Sequence, residues 1–142
     1  MVIREAGVGD DPVVARLIRE LARGEGETSP VDDEAVAAYL DFPGSGAFVA
    51  EVDGAVVGVL TWFMRPGLFH GGRWACIDEL FVQEQARRHG LGDALVGAAI
   101  KAFQAAGCRE VSVSTMPDNE PARRLYARHG LTDESLLLER HF

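Results

Sequence analysis

Residues 47–65, AFVAEVDGAVVGVLTWFMR, restrict the fold more than any other stretch of the chain. Two runs rich in valine and aromatic residues flank Asp53-Gly54. Asp-Gly readily supplies the two positive-φ residues of a tight hairpin turn. Such a turn joins antiparallel strands, so the sheet has an antiparallel centre. A third run, RWACIDELFV at 73–82, is apolar at both alternating positions, the pattern of a strand covered on two faces. The chain therefore needs helices on both sides of its sheet.

The flanking segments supply them. DDPVVARLIRELARG (10–24) reads as a helix capped by Asp10 or Asp11, with Pro12 in its first turn. Val13, Val14, Leu17, Ile18 and Leu21 share one of its faces. VDDEAVAAYL (31–40) reads as a shorter helix capped by Asp32, with Val36, Tyr39 and Leu40 as its apolar positions. GLGDALVGAAIKAFQAAG (90–107) is a third helix, and DNEPARRLYARHG (118–130), capped by Asn119, is a fourth. Strands are expected at 2–5 (VIRE), 109–116 (REVSVSTM) and 134–142 (ESLLLERHF). The order is β-α-α-β-β-β-α-β-α-β, and the later β-α-β adds one parallel pair. The class is α/β, a mixed and mostly antiparallel sheet flanked by about four helices, expected as a single domain over 1–142.

Composition narrows the function. The chain is 47% hydrophobic and 25% charged, ordinary for a globular protein. A net charge of −8 argues against general nucleic-acid binding, which requires phosphates to be neutralised. No apolar run is long enough to span a membrane. MVIREAGVGDD has acid where a signal peptide needs an apolar core, and Cys76 and Cys108 form no C-x-x-C pair. The expectation is a cytoplasmic protein with reduced thiols.

QARRHGLGDAL (85–95) stands out against this acidity. Arg87, Arg88 and His89 precede Gly90, Leu91 and Gly92 where a strand gives way to a helix. Helix-start N–H groups lack partners within the helix and attract anions, and glycine lets a ligand approach the main chain. This stretch is either a phosphate or pyrophosphate site or a turn with solvated arginines. It contains no G-x-x-x-x-G-K-S/T phosphate loop, and the hairpin before it does not suit a dinucleotide-binding unit.

RRHGLG resembles the Gln/Arg-x-x-Gly-x-Gly/Ala acyl-coenzyme A signature of the GNAT superfamily of N-acetyltransferases, with Arg87, Gly90 and Gly92 at its defined positions. NEPARRLYARHGL (119–131) resembles that family's Asn-x-x-Ala-x-x-x-Tyr-x-x-x-Gly helix through Asn119, Ala122, Tyr126 and Gly130. NEP and IDELFV are similar to the small polyamine-type members. The resemblance covers nearly the whole chain. It implies that main-chain amides at 87–92 bind the coenzyme A pyrophosphate. It also implies that Leu80, Phe81 and Val82 pair with the pantetheine arm like an added strand. By the same resemblance Asn119 bonds that arm, Ala122 belongs to the cofactor site, and Tyr126 lies near the thioester sulfur.

The implied reaction is direct acetyl transfer from acetyl-CoA to a primary amine, with no metal. An alkylamine is mostly protonated at neutral pH, its pKa being about 10, so a base must take its proton. The departing thiolate needs a donor, and a tyrosine hydroxyl such as Tyr126 can supply one; the plain alternative is a satisfied core tyrosine. Asp78 and Glu79 are charged residues in a buried strand, a costly arrangement unless paired or useful. Alternation sets Asp78 with Cys76, Leu80 and Val82, and Glu79 with Ile77 and Phe81, on opposite faces. The resemblance favours Asp78 as base; a salt bridge to an arginine is the alternative for either. His70 lies in the loop before this strand, and Trp62, Phe63, Phe69 and Trp74 flank the same loop as core, rim or lining for a cation.

The acidic residues Glu25, Glu27, Asp32, Asp33 and Glu34 read either as an acidic wall drawing in a cationic acceptor or as a solvated helix start. The acceptor is therefore expected to be a small, cationic amine. A protein N-terminus or lysine is the second enzyme reading, and a non-catalytic acyl-CoA-binding module is a reading of another class. A homodimer is also expected from the resemblance, although the tail after Gly130 is shorter than the family's two closing strands.

Overall fold

The computed structural model describes residues 1–142. Its elements run β1 (Val2–Glu5), α1 (Asp11–Gly24), α2 (Asp33–Asp41), β2 (Ser45–Val52), β3 (Ala55–Pro66), β4 (Arg73–Val82), α3 (Leu91–Ala105), β5 (Cys108–Val113) and α4 (Glu120–Arg128). A short 3-10 turn, Glu84–Ala86, follows β4. The five strands lie in the order β1-β2-β3-β4-β5. Pairing is antiparallel from β1 to β4 and parallel between β4 and β5, the mixed sheet expected from the Asp53-Gly54 hairpin and the later β-α-β unit.

Alternation along β2 and β3 sorts side chains into two cores. Phe48, Ala50 and Leu60 join Leu95, Val96, Ala99 and Phe103 of α3 and Tyr126 of α4. Their neighbours Ala47, Val49 and Val59 join Val14, Ala15 and Leu17 of α1 and Val36 of α2. Each strand thus buries both faces, which explains its nearly continuous apolar sequence. Asp32 caps α2 by accepting from Ala35 N–H at 2.8 Å, with Asp33 and Glu34 in the first turn.

The closing strand expected at 134–142 does not form within the chain. Residues after α4 contain no regular element, and Leu136 and Leu138 are 90% and 88% exposed. An ion pair between Arg123 of α4 and Glu134 ties the start of the tail to the helix. The apolar residues that favour a strand are present, but a strand exists only by pairing, and the outer edge of β5 carries no neighbour.

Asp10 occupies the capping position of α1 without capping it. Its carboxylate accepts Gly7 N–H at 2.7 Å and two Arg4 N–H groups at 2.7 and 2.9 Å, while Arg4 Nε reaches Glu51 at 2.8 Å. Arg4 so joins β1, β2 and the entry to α1. Hydrogen bonding from Arg4 holds the Asp10 carboxyl below its ordinary 3.8. A folded value below the unfolded one means that this stabilisation is complete above the unfolded value. It is lost as pH falls through the folded value. Asp10→Asn is expected to cost about 2 kcal/mol at pH 7, and the gap from the parent should close as the pH is lowered through the acid range. Urea unfolding of both proteins across that range measures it.

Candidate active site

The site begins with one extra residue in β4. Thr61 pairs with Glu79 and Trp62 with Ile77, so Asp78 has no partner across the ladder. This bulge breaks the alternation assumed from sequence. Ala75 and Ile77 face the α3 core before it, and Leu80 and Val82 face the same core after it, while Phe81 packs on the α1 side. Asp78 and Glu79 are therefore not separated by the sheet, as the sequence pattern implies. Both lie around Tyr39 of α2, whose phenol is pushed far above its ordinary pKa by burial and by these two carboxylates.

The cluster is hydrogen-bonded within itself. Tyr39 Oη lies 3.0 Å from the Trp62 carbonyl and 3.3 Å from Asp78 Oδ2. Thr61, buried in β3, donates its hydroxyl to Glu79 and accepts Glu79 N–H at 2.9 Å. Burial raises the pKa of Glu79, and the nearby Asp78 charge adds to the rise. Burial beside the same carboxylates pushes the Cys76 thiol up to about 11, so it remains a thiol at neutral pH and is unsuited to nucleophilic attack. Asp78 itself is exposed. Neither carboxylate pairs with an arginine, the salt-bridge alternative drawn from sequence. Tyr39 and Thr61 are not evident as site residues from sequence. The first reads as an apolar helix position and the second as an ordinary strand residue; a polar side chain within GVLTWFM was the available signal.

Beside this cluster the sheet opens. β5 pairs with β4 only from Arg73 to Ile77, leaving Asp78–Val82 without a strand on that side. Gln83 N–H donates to Val57 O, so by antiparallel alternation the main-chain groups of Leu80 and Val82 turn to the open edge and those of Phe81 toward β3. Arg87 folds back on this edge. Its Nε donates to Val82 O at 2.8 Å, and its guanidinium lies 5.5 Å from the Phe81 ring centre.

The turn that follows presents bare donors. The main-chain N–H groups of Arg88, His89, Gly90, Leu91, Gly92 and Asp93 donate to nothing in the protein. Arg88 and Gly90 hold φ of +68° and +76°, left-handed conformations that build concave, anion-binding turns. No side chain caps α3. A Cβ at Gly90 would meet no protein atom, whereas one at Gly92 would touch Leu125 at 3.5 Å. Leu91 contributes its side chain to the core, and the side chains of Arg88 and His89 are exposed. These donors fit the pyrophosphate of an acyl-coenzyme A.

α4 supplies the rest. Tyr126 is 8% exposed, yet its hydroxyl makes no hydrogen bond in the protein and is not sealed from solvent. Burial raises its pKa, so it stays a proton donor at neutral pH. It is not the satisfied core tyrosine of the plain reading. Asn119 uses its Oδ1 to cap α4 on Ala122 N–H at 3.2 Å, which leaves its amide NH2 to donate elsewhere. Ala122 packs on the core. His129 and Arg128 both bind Asp93 in the first turn of α3, at 3.0 and 2.8 Å, locking α4 beside the bare turn. His70 stands apart, exposed and 3.4 Å from Glu110. Trp62 lies against Phe103 in the core, and Trp74 carries Arg65 over its ring at 4.6 Å, so that ring already holds a cation. No group of three His, Cys, Asp or Glu residues is arranged to hold a metal ion.

Comparison with known proteins agrees with this geometry. A family model described as the acetyltransferase (GNAT) family matches residues 15–131. The thialysine N-epsilon-acetyltransferase of Bos taurus is 27% identical over 145 residues, covering 94% of this chain and 85% of its own. The aminoalkylphosphonate N-acetyltransferase of Salmonella typhimurium is 30% identical over 128 residues, covering 90% of this chain and 82% of its own. A crystal structure of a transcriptional regulator from Bacillus halodurans C-125 superposes with a TM-score of 0.86 at 26% identity over 99% of each chain. The family uses acetyl-CoA as co-substrate, the ligand that the bare turn and open strand edge suit. With a match over residues 15–131 and relatives named for N-acetyl transfer, the chain belongs to the acetyltransferase (GNAT) family and is an acyl-CoA-dependent N-acetyltransferase.

Proposed function

We propose that this enzyme acetylates a primary amine of a small, cationic molecule by direct transfer, in the manner of the polyamine-type members. The observation that carries the reading is the meeting of Asp78 and Glu79 at the bulge, beside an open strand edge. One relative is named for thialysine and another for aminoalkylphosphonates, so the acceptor must be argued from this site's own charge. Two carboxylates favour an ammonium group, and Asp78, the exposed one, takes its proton. The N–H groups of 88–93 hold the pyrophosphate, and Leu80 and Val82 bond the pantetheine arm. Bound acetyl-CoA supplies the acetyl group as a thioester. Leu80 N–H, on the open edge, stabilises the developing oxyanion, and Tyr126 gives its proton to the departing sulfur. Net charge −8 supports a small-molecule partner over nucleic acid, and two unpaired cysteines support a cytoplasmic location.

Two variants separate binding from chemistry. Gly90→Val adds a branched side chain at a left-handed position facing open space, and it should abolish the thermal stabilisation given by acetyl-CoA. Tyr126→Phe should keep that stabilisation while kcat falls about 100-fold. A full thermal shift in the first variant removes the turn from the cofactor site, and undiminished turnover in the second removes the tyrosine.

The acceptor's charge is tested by comparing kcat/KM for a diamine and a neutral-tailed monoamine of similar length, at low and high salt. The diamine should be preferred, and the preference should shrink as salt screens the carboxylates. Equal use of both amines at either salt rejects the cationic acceptor. The acidic wall at 25–34 is part of this proposal only through its charge; Asp32 already serves as a helix cap.

We further propose a homodimer in which each tail pairs with the other copy's β5. The outer edge of β5 is bare and Leu136–Leu138 are exposed apolar residues, so a two-fold exchange satisfies both. Light scattering should report a dimer for the full chain and a monomer once residues 132–142 are deleted. A monomeric full chain rejects the exchange.

A further inference from the structure

Tyr39 has two acceptors and one proton. Its Oη lies within hydrogen-bonding distance of the Trp62 carbonyl and of Asp78 Oδ2, at 3.0 and 3.3 Å. The two acceptors flank the same irregularity, because Asp78 is the extra residue opposite the Thr61–Trp62 bond. Tyr39 also belongs to a different layer. It comes from α2, which packs on the sheet face away from α3 and Tyr126. Burial and the two carboxylates keep its phenol neutral at every working pH, so Tyr39 is neither the base nor an anion.

Resting on the reading of Asp78 as the base, we propose that Tyr39 is a positioning residue that holds the Asp78 carboxylate and matches both of its protonation states. With Asp78 ionised, the Tyr39 O–H donates to Oδ2. The acceptor's ammonium then gives one proton to Asp78, leaving a neutral amine and a neutral carboxylic acid. The new Asp78 O–H donates to Tyr39 Oη, and the tyrosine proton turns to the Trp62 carbonyl. No proton leaves Tyr39, and every donor keeps an acceptor in both states. A second proton leaves the nitrogen as the amide forms and restores, through water, the one that Tyr126 gives to the sulfur, and Asp78, being exposed, returns its own to water.

The neighbouring groups do not share this task. Glu79 is engaged by Thr61 through both its carboxylate and its N–H. Cys76 remains a thiol. The alternative is that Tyr39 merely fastens α2 to the sheet, for which the bond to Trp62 suffices.

Acceptor basicity distinguishes the two. An alkylamine arrives protonated and needs the base, whereas an amine whose pKa lies below the assay pH arrives neutral and does not. Tyr39→Phe should lower kcat/KM for the alkylamine about tenfold, the worth of one hydrogen bond to a charged group. It should change the value for the weakly basic amine less than about twofold and leave KM for acetyl-CoA unaltered. An equal loss with both amines assigns Tyr39 to structure alone, and no loss with either removes it from the reaction; both outcomes overturn the proposal. Asp78→Asn, assayed in parallel, should show the same selective loss with a larger magnitude. If it does not slow the alkylamine, the base assignment itself fails, whatever Tyr39→Phe shows. Thermal unfolding of each variant confirms that the comparison is between folded proteins.

Discussion

One residue too many in β4 shapes this enzyme. Because Asp78 has no partner across the ladder, the strand changes its side-chain phase between Ile77 and Glu79. A bulge also sharpens local twist and disrupts pairing. β5 accompanies β4 up to Ile77, the last residue before the bulge, and no further. The consequences meet at one place. Two carboxylates come together around Tyr39, and the edge of Leu80–Val82 is left without a neighbouring strand directly alongside, only Val82 O being taken, by Arg87.

The charges are then arranged by element. The chain carries an excess of acid, yet the turn that opens α3, residues 88–93, presents six successive main-chain N–H groups with no partner in the protein. An anion docked there would meet main-chain dipoles, whose positions do not depend on flexible side chains. The arginines nearby serve architecture as much as charge. Arg87 is folded onto Val82 and Phe81, and Arg128 with His129 grips Asp93. This second contact fixes α4, and with it Tyr126, relative to the turn.

Legibility from sequence followed the range of the forces involved. Strand and helix positions were readable because alternation and helical spacing are local, and the Asp53-Gly54 turn is fixed by its own two residues. The expected last strand at 134–142 failed because its pattern says only that the segment favours extension; a strand also needs pairing, and the tail does not lie along the open edge of β5. Asn119 shows the intermediate case. Its capping role was readable, and that role occupies the oxygen while leaving the amide protons free for a ligand.

The sequence by itself determined the layer order, the two-sided burial of the central strands and the glycine turn at the start of α3, since each depends on residues close along the chain. Only the tertiary structure decided that Asp78 and Glu79 share a site. Their separation by alternation is correct for any regular strand, and the bulge that overturns it comes from the register between β3 and β4, not from either strand alone. Tyr39 and Thr61 entered the site for the same reason. They are 18 or more residues from the carboxylates they touch, and what brings them there is packing of α2 and pairing of β3 against one irregular strand.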